Sequence, residues 1–172
     1  MPIDKFLKQD RTTGGSEEVA LVDSSAGAAS AGKGVALDAN GQVALNMMPT
    51  GVGPELSNML AYENLTAGDF VNIFLDAGVA KARKADATDG GKGVHGFVKA
   101  SPNAGQAVDV YFDGANNART GLTIGARYFL STTPGGVTTP PPAAAGNLVQ
   151  YLGTALSATT IPFRPTDGVI LA

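Results

Sequence analysis

Phe70-Val71-Asn72-Ile73-Phe74-Leu75, the break Asp76-Ala77-Gly78, and the return Val79-Ala80-Lys81-Ala82-Arg83-Lys84 decide the fold. The first run is aromatic and β-branched, the second alternates apolar with basic residues, and the break ends on glycine, so the pair reads as a β-hairpin. A lone hairpin is unstable in water and needs further strands. The residues downstream supply them. Short apolar runs at 94–98, 107–112, 126–130, 136–138, 148–152, 154–158 and 169–171 are separated by turn chemistry about every 8 to 12 residues. No run is followed by a convincing crossover helix, so a parallel α/β sheet is disfavoured. The expectation is an all-β fold, a compact antiparallel β-barrel or sandwich over residues 55–172. Glu55 to Ala67 is the one place where a short helix competes, because Leu56, Met59 and Leu60 would share a helical face.

Upstream, residues 1–54 read as an extended N-terminal arm. Ile3, Phe6 and Leu7 have the spacing of one helical face over two turns at most, and so short a helix is marginal unless it docks. These three residues are the candidate anchors, since their apolar groups lie among charges and need a surface to cover them. Ser24 to Gly32 is nearly all Ala, Gly and Ser. It reads as a flexible linker or as backbone laid flat against a partner. Val35-Ala36-Leu37 and Val43-Ala44-Leu45 flank Asn40-Gly41, a hairpin signal.

Composition excludes several classes. With Gly 23 and Pro 10 among 172 residues, the longest segment free of both is Glu55 to Ala67, 13 residues. A membrane-spanning helix needs about 20 apolar residues, and a coiled-coil shaft needs several heptads, so neither is expected. The net charge is -3, and no basic cluster points to nucleic acid. The start lacks an apolar run of signal-peptide length, which reads as synthesis without export. The chain has no Cys and therefore no disulfide framework.

Chemistry-bearing patterns fail on inspection. Gly27, four residues, Gly32 and Lys33 imitate a phosphate-binding loop, but Gly34 stands where Ser or Thr must hold magnesium, and a strand pattern follows. His95, the sole histidine, has no second imidazole to share a metal and reads as a surface or half-buried strand residue. Asp86, Asp89 and Gly90 lack the ligand ladder of a calcium loop. Asp109 and Asp113 would share a strand face about 13 Å apart, too far for a glycosidase pair. Aromatic residues such as Phe70, Phe74, Tyr111, Phe112, Tyr128 and Phe129 read as core packing. No enzyme activity, cofactor, metal or small-molecule substrate is expected.

The run Ala126-Arg127-Tyr128-Phe129-Leu130-Ser131-Thr132-Thr133-Pro134-Gly135-Gly136-Val137, the Pro140-Pro141-Pro142 loop, Gly146-Asn147-Leu148-Val149-Gln150-Tyr151-Leu152-Gly153-Thr154 and Phe163-Arg164-Pro165 resemble a β-rich module of tailed-bacteriophage virion proteins. Ala67 to Asn72, Arg83 to Ala87 and Gly32 to Pro49 share its pattern, so the resemblance spans residues 32–172. It implies a viral structural protein without catalytic residues, made in the bacterial host cytoplasm and placed on the virion. The module occurs on head decorations and on fibres. One expectation is a capsid decoration (cement) protein, a homotrimer on the capsid exterior whose arm contacts the major capsid protein. The other is a head-fibre or tail-fibre subunit contacting the host, for which the finely broken chain leaves no shaft. The 131–147 loop, stiffened by its prolines, is expected to project from the body.

Overall fold

A computed structural model describes residues 5–9, 12–38, 41–44, 47–48 and 55–172. The chain divides into two compact units, Met1–Gly53 and Pro54–Ala172. Both are built from strands, and the fold is all-β. Among the described residues, helical structure is confined to short 3-10 turns such as Gly27–Ser30 and Gly90–Lys92.

The first unit holds a three-stranded sheet, β1 (Lys5–Gln9), β2 (Ser16–Val22) and β3 (Gly34–Val35). The helical turn expected at Phe6 and Leu7 is a strand instead: Phe6 pairs with Val19 and Leu7 with Glu18 across an antiparallel hairpin. The tertiary reason is specific. As a strand, β1 lays Phe6 over Gly34, where an added Cβ would come within 2.7 Å of the ring. Downstream, the expected hairpin around Asn40-Gly41 is present only as a turn, with Asp38 N–H donating to Gln42 C=O at 2.8 Å. Val43 and Ala44 are not in a strand, and Asn40 and Leu45 lie outside the described residues.

The second unit opens on a closed five-stranded barrel of β4 (Leu56–Ala61), β5 (Phe70–Asp76), β6 (Val79–Lys84), β7 (Gly96–Val98) and β8 (Ala107–Tyr111). The order around it is β4-β6-β5-β7-β8. The expected β5–β6 hairpin forms with Asp76 opposite Val79, so that Ala77 and Gly78 make the whole turn. The short helix that competes at Glu55–Ala67 does not form. Residues Leu56–Leu60 instead pair with Tyr111–Ala107 of β8, and nonlocal pairing overrides local spacing. The barrel is not purely antiparallel, for Leu60–Ala61 run parallel to Lys81–Ala82 and close it.

Strand alternation sorts the core. Val71, Val98, Val108, Val110, Ala61 and Ala82 fill the barrel. A five-stranded barrel has a narrow interior, which suits Val and Ala better than larger groups. At Gly96 even a Cβ would lie 2.6 Å from the Tyr111 carbonyl oxygen. One residue along in each strand, Phe70, Phe97 and Tyr111 point outward. Phe70 and Phe97 each lie 5.7 Å from the Phe163 ring, and this layer packs on Leu130, Leu148 and Leu152.

Those residues belong to the remaining sheets. The strands β10 (Arg127–Leu130), β11 (Val137–Thr138) and β13 (Tyr151–Thr154) form a three-stranded sheet. Two-stranded ladders join β12 (Leu148–Val149) with β15 (Val169–Ile170), and β9 (Ala115–Asn116) with β14 (Ile161–Pro162). Residues 155–158, expected as a strand, turn instead, Leu156 N–H donating to Thr160 C=O at 2.9 Å. The 131–147 loop projects only in part. Its first half is stitched to the barrel, Gly135 N–H to Ala85 C=O at 2.8 Å and Phe70 N–H to Gly135 C=O at 3.1 Å, and most of residues 139–146 are exposed.

Candidate functional site

The three candidate anchors do not act as one helical face. Ile3 lies outside the described residues, and Phe6 and Leu7, as strand neighbours, point to opposite faces of the N-terminal sheet. Phe6 packs over Gly34 beside Leu21 and keeps 38% of its surface in solvent. Leu7 is 71% exposed. Its face continues through Ala20 and Val22 to Val35, 57% exposed, because Val22 is in register with Val35. Leu37, just beyond β3, is 60% exposed. Sequence reasoning missed Val35 and Leu37, although strand alternation from Leu7 through a β1–β2 hairpin was available as a signal.

Charges flank these apolar groups. Lys5 pairs with Glu18 at 2.7 Å on the Leu7 face, and Lys8 pairs with Glu17 at 3.6 Å on the Phe6 face. Cross-strand pairs of this kind hold the hairpin register while leaving apolar side chains between them. Each face is therefore an apolar strip bordered by solvated ion pairs.

A second exposed surface lies on the outside of the barrel. Tyr62 meets Phe74 edge-on at 5.0 Å, and the Arg83 guanidinium sits 4.2 Å above the Phe74 ring. Arg83 is held there by Asn72 Oδ1 at 2.9 Å and the Gly91 carbonyl at 3.1 Å. Phe74 is thus only half-buried, a partial departure from the expected core role; so is Phe129, which meets Tyr151 at 5.8 Å with Arg127 above both rings. Beside this surface runs an open groove of about 560 Å³, lined by Ile73, Phe74, Gly91, His95, Gln150 and Asp167 among others.

The other singled-out residues serve the fold. Gly27 begins a 3-10 turn, and the segment after Lys33 is β3, so the imitation phosphate loop has no helix behind it. Asp86 accepts from the Thr88 N–H and hydroxyl at 2.9 and 2.8 Å, and Asp89 from Gly91 N–H at 2.9 Å. That Gly91 bond holds the Asp89 carboxyl below its ordinary range. Asp109 accepts from the Asn58 amide at 2.8 Å and Asp113 from Glu55 N–H at 2.9 Å. Among the described residues, no three His, Asp or Glu converge as metal ligands.

One buried ionic cluster was not legible in the sequence. Asp69, almost fully buried, accepts from Thr66 N–H at 2.9 Å and lies 3.7 Å from Lys84 and 4.0 Å from Arg119. Arg119 also donates to the Gly68 and Gly135 carbonyls, at 3.1 and 3.4 Å. Burial pushes the Asp69 carboxyl up, against the Thr66 bond and the two cations; burial likewise pulls the Arg119 guanidinium down. The cluster ties the residue before β5 and the end of β6 to the loops that follow β9 and β10. It joins residues far apart in the chain. Comparison of the chain with protein-family models, with curated proteins and with solved structures gave no match.

Proposed function

We propose that the chain is a capsid decoration, or cement, protein of a tailed bacteriophage. It binds the outer head surface as a homotrimer, and its N-terminal unit spreads over the major capsid protein across capsomer boundaries. The observation that carries this reading is the N-terminal sheet, whose apolar side chains Leu7 and Val35, with Leu37 just beyond it, are more than half exposed. So small a sheet buries little apolar surface of its own and gains most from a partner that covers it. Ordering such a segment on the capsid would tie neighbouring subunits together through large contact area and main-chain pairing. The resemblance of residues 32–172 to the phage virion module supports the same reading. The closed barrel suits it too, since closure pairs most of the strand edges that a repetitive display on a shell would otherwise bring together, all but the far end of β5.

The test is binding to capsids from virions that lack the protein. Wild-type chain should co-sediment with them, and Leu7→Ser, which removes a side chain worth roughly 1.5–3 kcal/mol when covered, should weaken binding at least about tenfold. Phe6→Ser, on the opposite face, reports whether both faces are covered. Unchanged affinity in both variants would refute the docking role of this sheet.

A further inference from the structure

His95 ends the β5–β7 ladder with its side chain. The ladder pairs Phe70 with Phe97 and Val71 with Gly96 and then stops. His95 N–H still donates to the Val71 carbonyl at 2.9 Å. The next donor along that edge, Ile73 N–H, is accepted by the imidazole Nδ1 at 3.0 Å. On its other side β5 is paired with β6 from Val71 to Asp76, and Ala85 N–H to Phe70 C=O marks the even-numbered residues as the ones bonded to β6. Ile73 and Leu75 therefore direct their main-chain groups to the β7 side, where among the described residues no strand pairs with them. The imidazole stands where the next residue of a longer β7 would stand.

A ring nitrogen accepts a hydrogen bond only when it carries no proton, so the ring that holds Ile73 is neutral, with its hydrogen on Nε2. We infer that His95 is a proton-operated latch on the edge of β5: the neutral ring caps Ile73 N–H, and the protonated ring releases it. Protonation sets one N–H against another, and the bare edge of β5 then begins at Ile73 inside the groove that both residues line. Nothing must move for the proton to arrive, since His95 is exposed.

Charged groups lie on the groove and on the elements that build it or pair with them. Asp167, in the loop after β14, shares the groove. Arg83 of β6 is bound to Asn72 and Gly91, Lys92 of the 3-10 turn pairs with Asp89 at 3.5 Å, and Asp76 of β5 pairs with Lys81 at 2.7 Å. Three of these four are engaged elsewhere, and Asp167 is the one among them that lines the groove with His95. Capped, the first donor of that edge is occupied; uncapped, Ile73 N–H joins the main-chain groups of Leu75 that β7 does not pair, which lengthens the edge by one donor.

The test uses the full chain labelled with ¹⁵N. Because His95 is the only histidine, its ring signals are unambiguous, and above its titration they should report hydrogen on Nε2. The protection factor of the Ile73 amide, which already corrects for the intrinsic pH dependence of exchange, should fall severalfold, up to about tenfold, as the ring is protonated. Val98 N–H, bonded to the Asp69 carbonyl at 3.0 Å, should keep its protection. His95→Phe should leave Ile73 weakly protected at every pH. Hydrogen on Nδ1, or an Ile73 protection factor that stays flat through the titration, would overturn the inference. Should His95→Phe not fold, the wild-type titration decides alone.

Discussion

At the β5–β6 turn, two residues carry the whole reversal, and both have positive φ, Ala77 at 48° and Gly78 at 83°. This is the twist that two-residue hairpins favour, and Asn-Gly is its preferred sequence. Alanine in the left-handed region costs about 1 kcal/mol, so Ala77→Asn should stabilise the body by roughly 0.5–1 kcal/mol in urea unfolding. Asp69 gives a pH-dependent case. Burial raises its folded-state pKa above the unfolded value, so the folded chain holds the proton to higher pH. Its contribution to stability is present below the unfolded pKa of 3.8 and is lost as pH rises through the folded value. Asp69→Asn removes that loss. Relative to wild type, the variant should therefore gain stability on going from pH 3.5 to 6.5, read by urea unfolding at the two pH values. A difference that shrinks with rising pH would contradict the assignment.

At the scale of elements, the C-terminal sheet and the barrel share one apolar layer, and Leu152 of β13 lies fully buried in it beside Phe70 and Phe163. Leu152→Ala should cost about 2–5 kcal/mol in thermal or denaturant unfolding, with barrel and sheet melting together. Separate transitions would mean that the layer does not couple them. Much of this architecture was legible. The aromatic and β-branched run of β5, its glycine turn and the recurring breaks downstream specify short strands by local chemistry alone. The closure of the barrel was not, because β4 joins β6 through a parallel contact between Leu60–Ala61 and Lys81–Ala82 that no local pattern encodes. For the same reason Leu56, Met59 and Leu60 carry helical spacing and still form a strand. In the candidate site, apolar Phe6 and Leu7 were legible as exposed groups, but the strand that puts them on opposite faces packs Phe6 on Gly34, distant in the chain, which no local pattern shows.

For the whole molecule, glycine and proline do two jobs. In Pro54–Ala172 they close the turns of a barrel with packed outer sheets, and in Met1–Gly53 glycine alone separates the three short strands of the described residues, which have little of their own to bury. On the proposed reading, the folded body would form the closed trimer and the small, exposed N-terminal sheet would grip the shell. A fibre subunit would need copies at few places, a cement protein copies everywhere the capsomers meet. The direct measurement is therefore the number and location of this chain in purified virions, by electron cryo-microscopy together with quantitative mass spectrometry. The proposal predicts several hundred copies, in groups of three, on the outer head surface, with density for the N-terminal sheet on neighbouring capsid subunits. A few copies confined to the tail would contradict it.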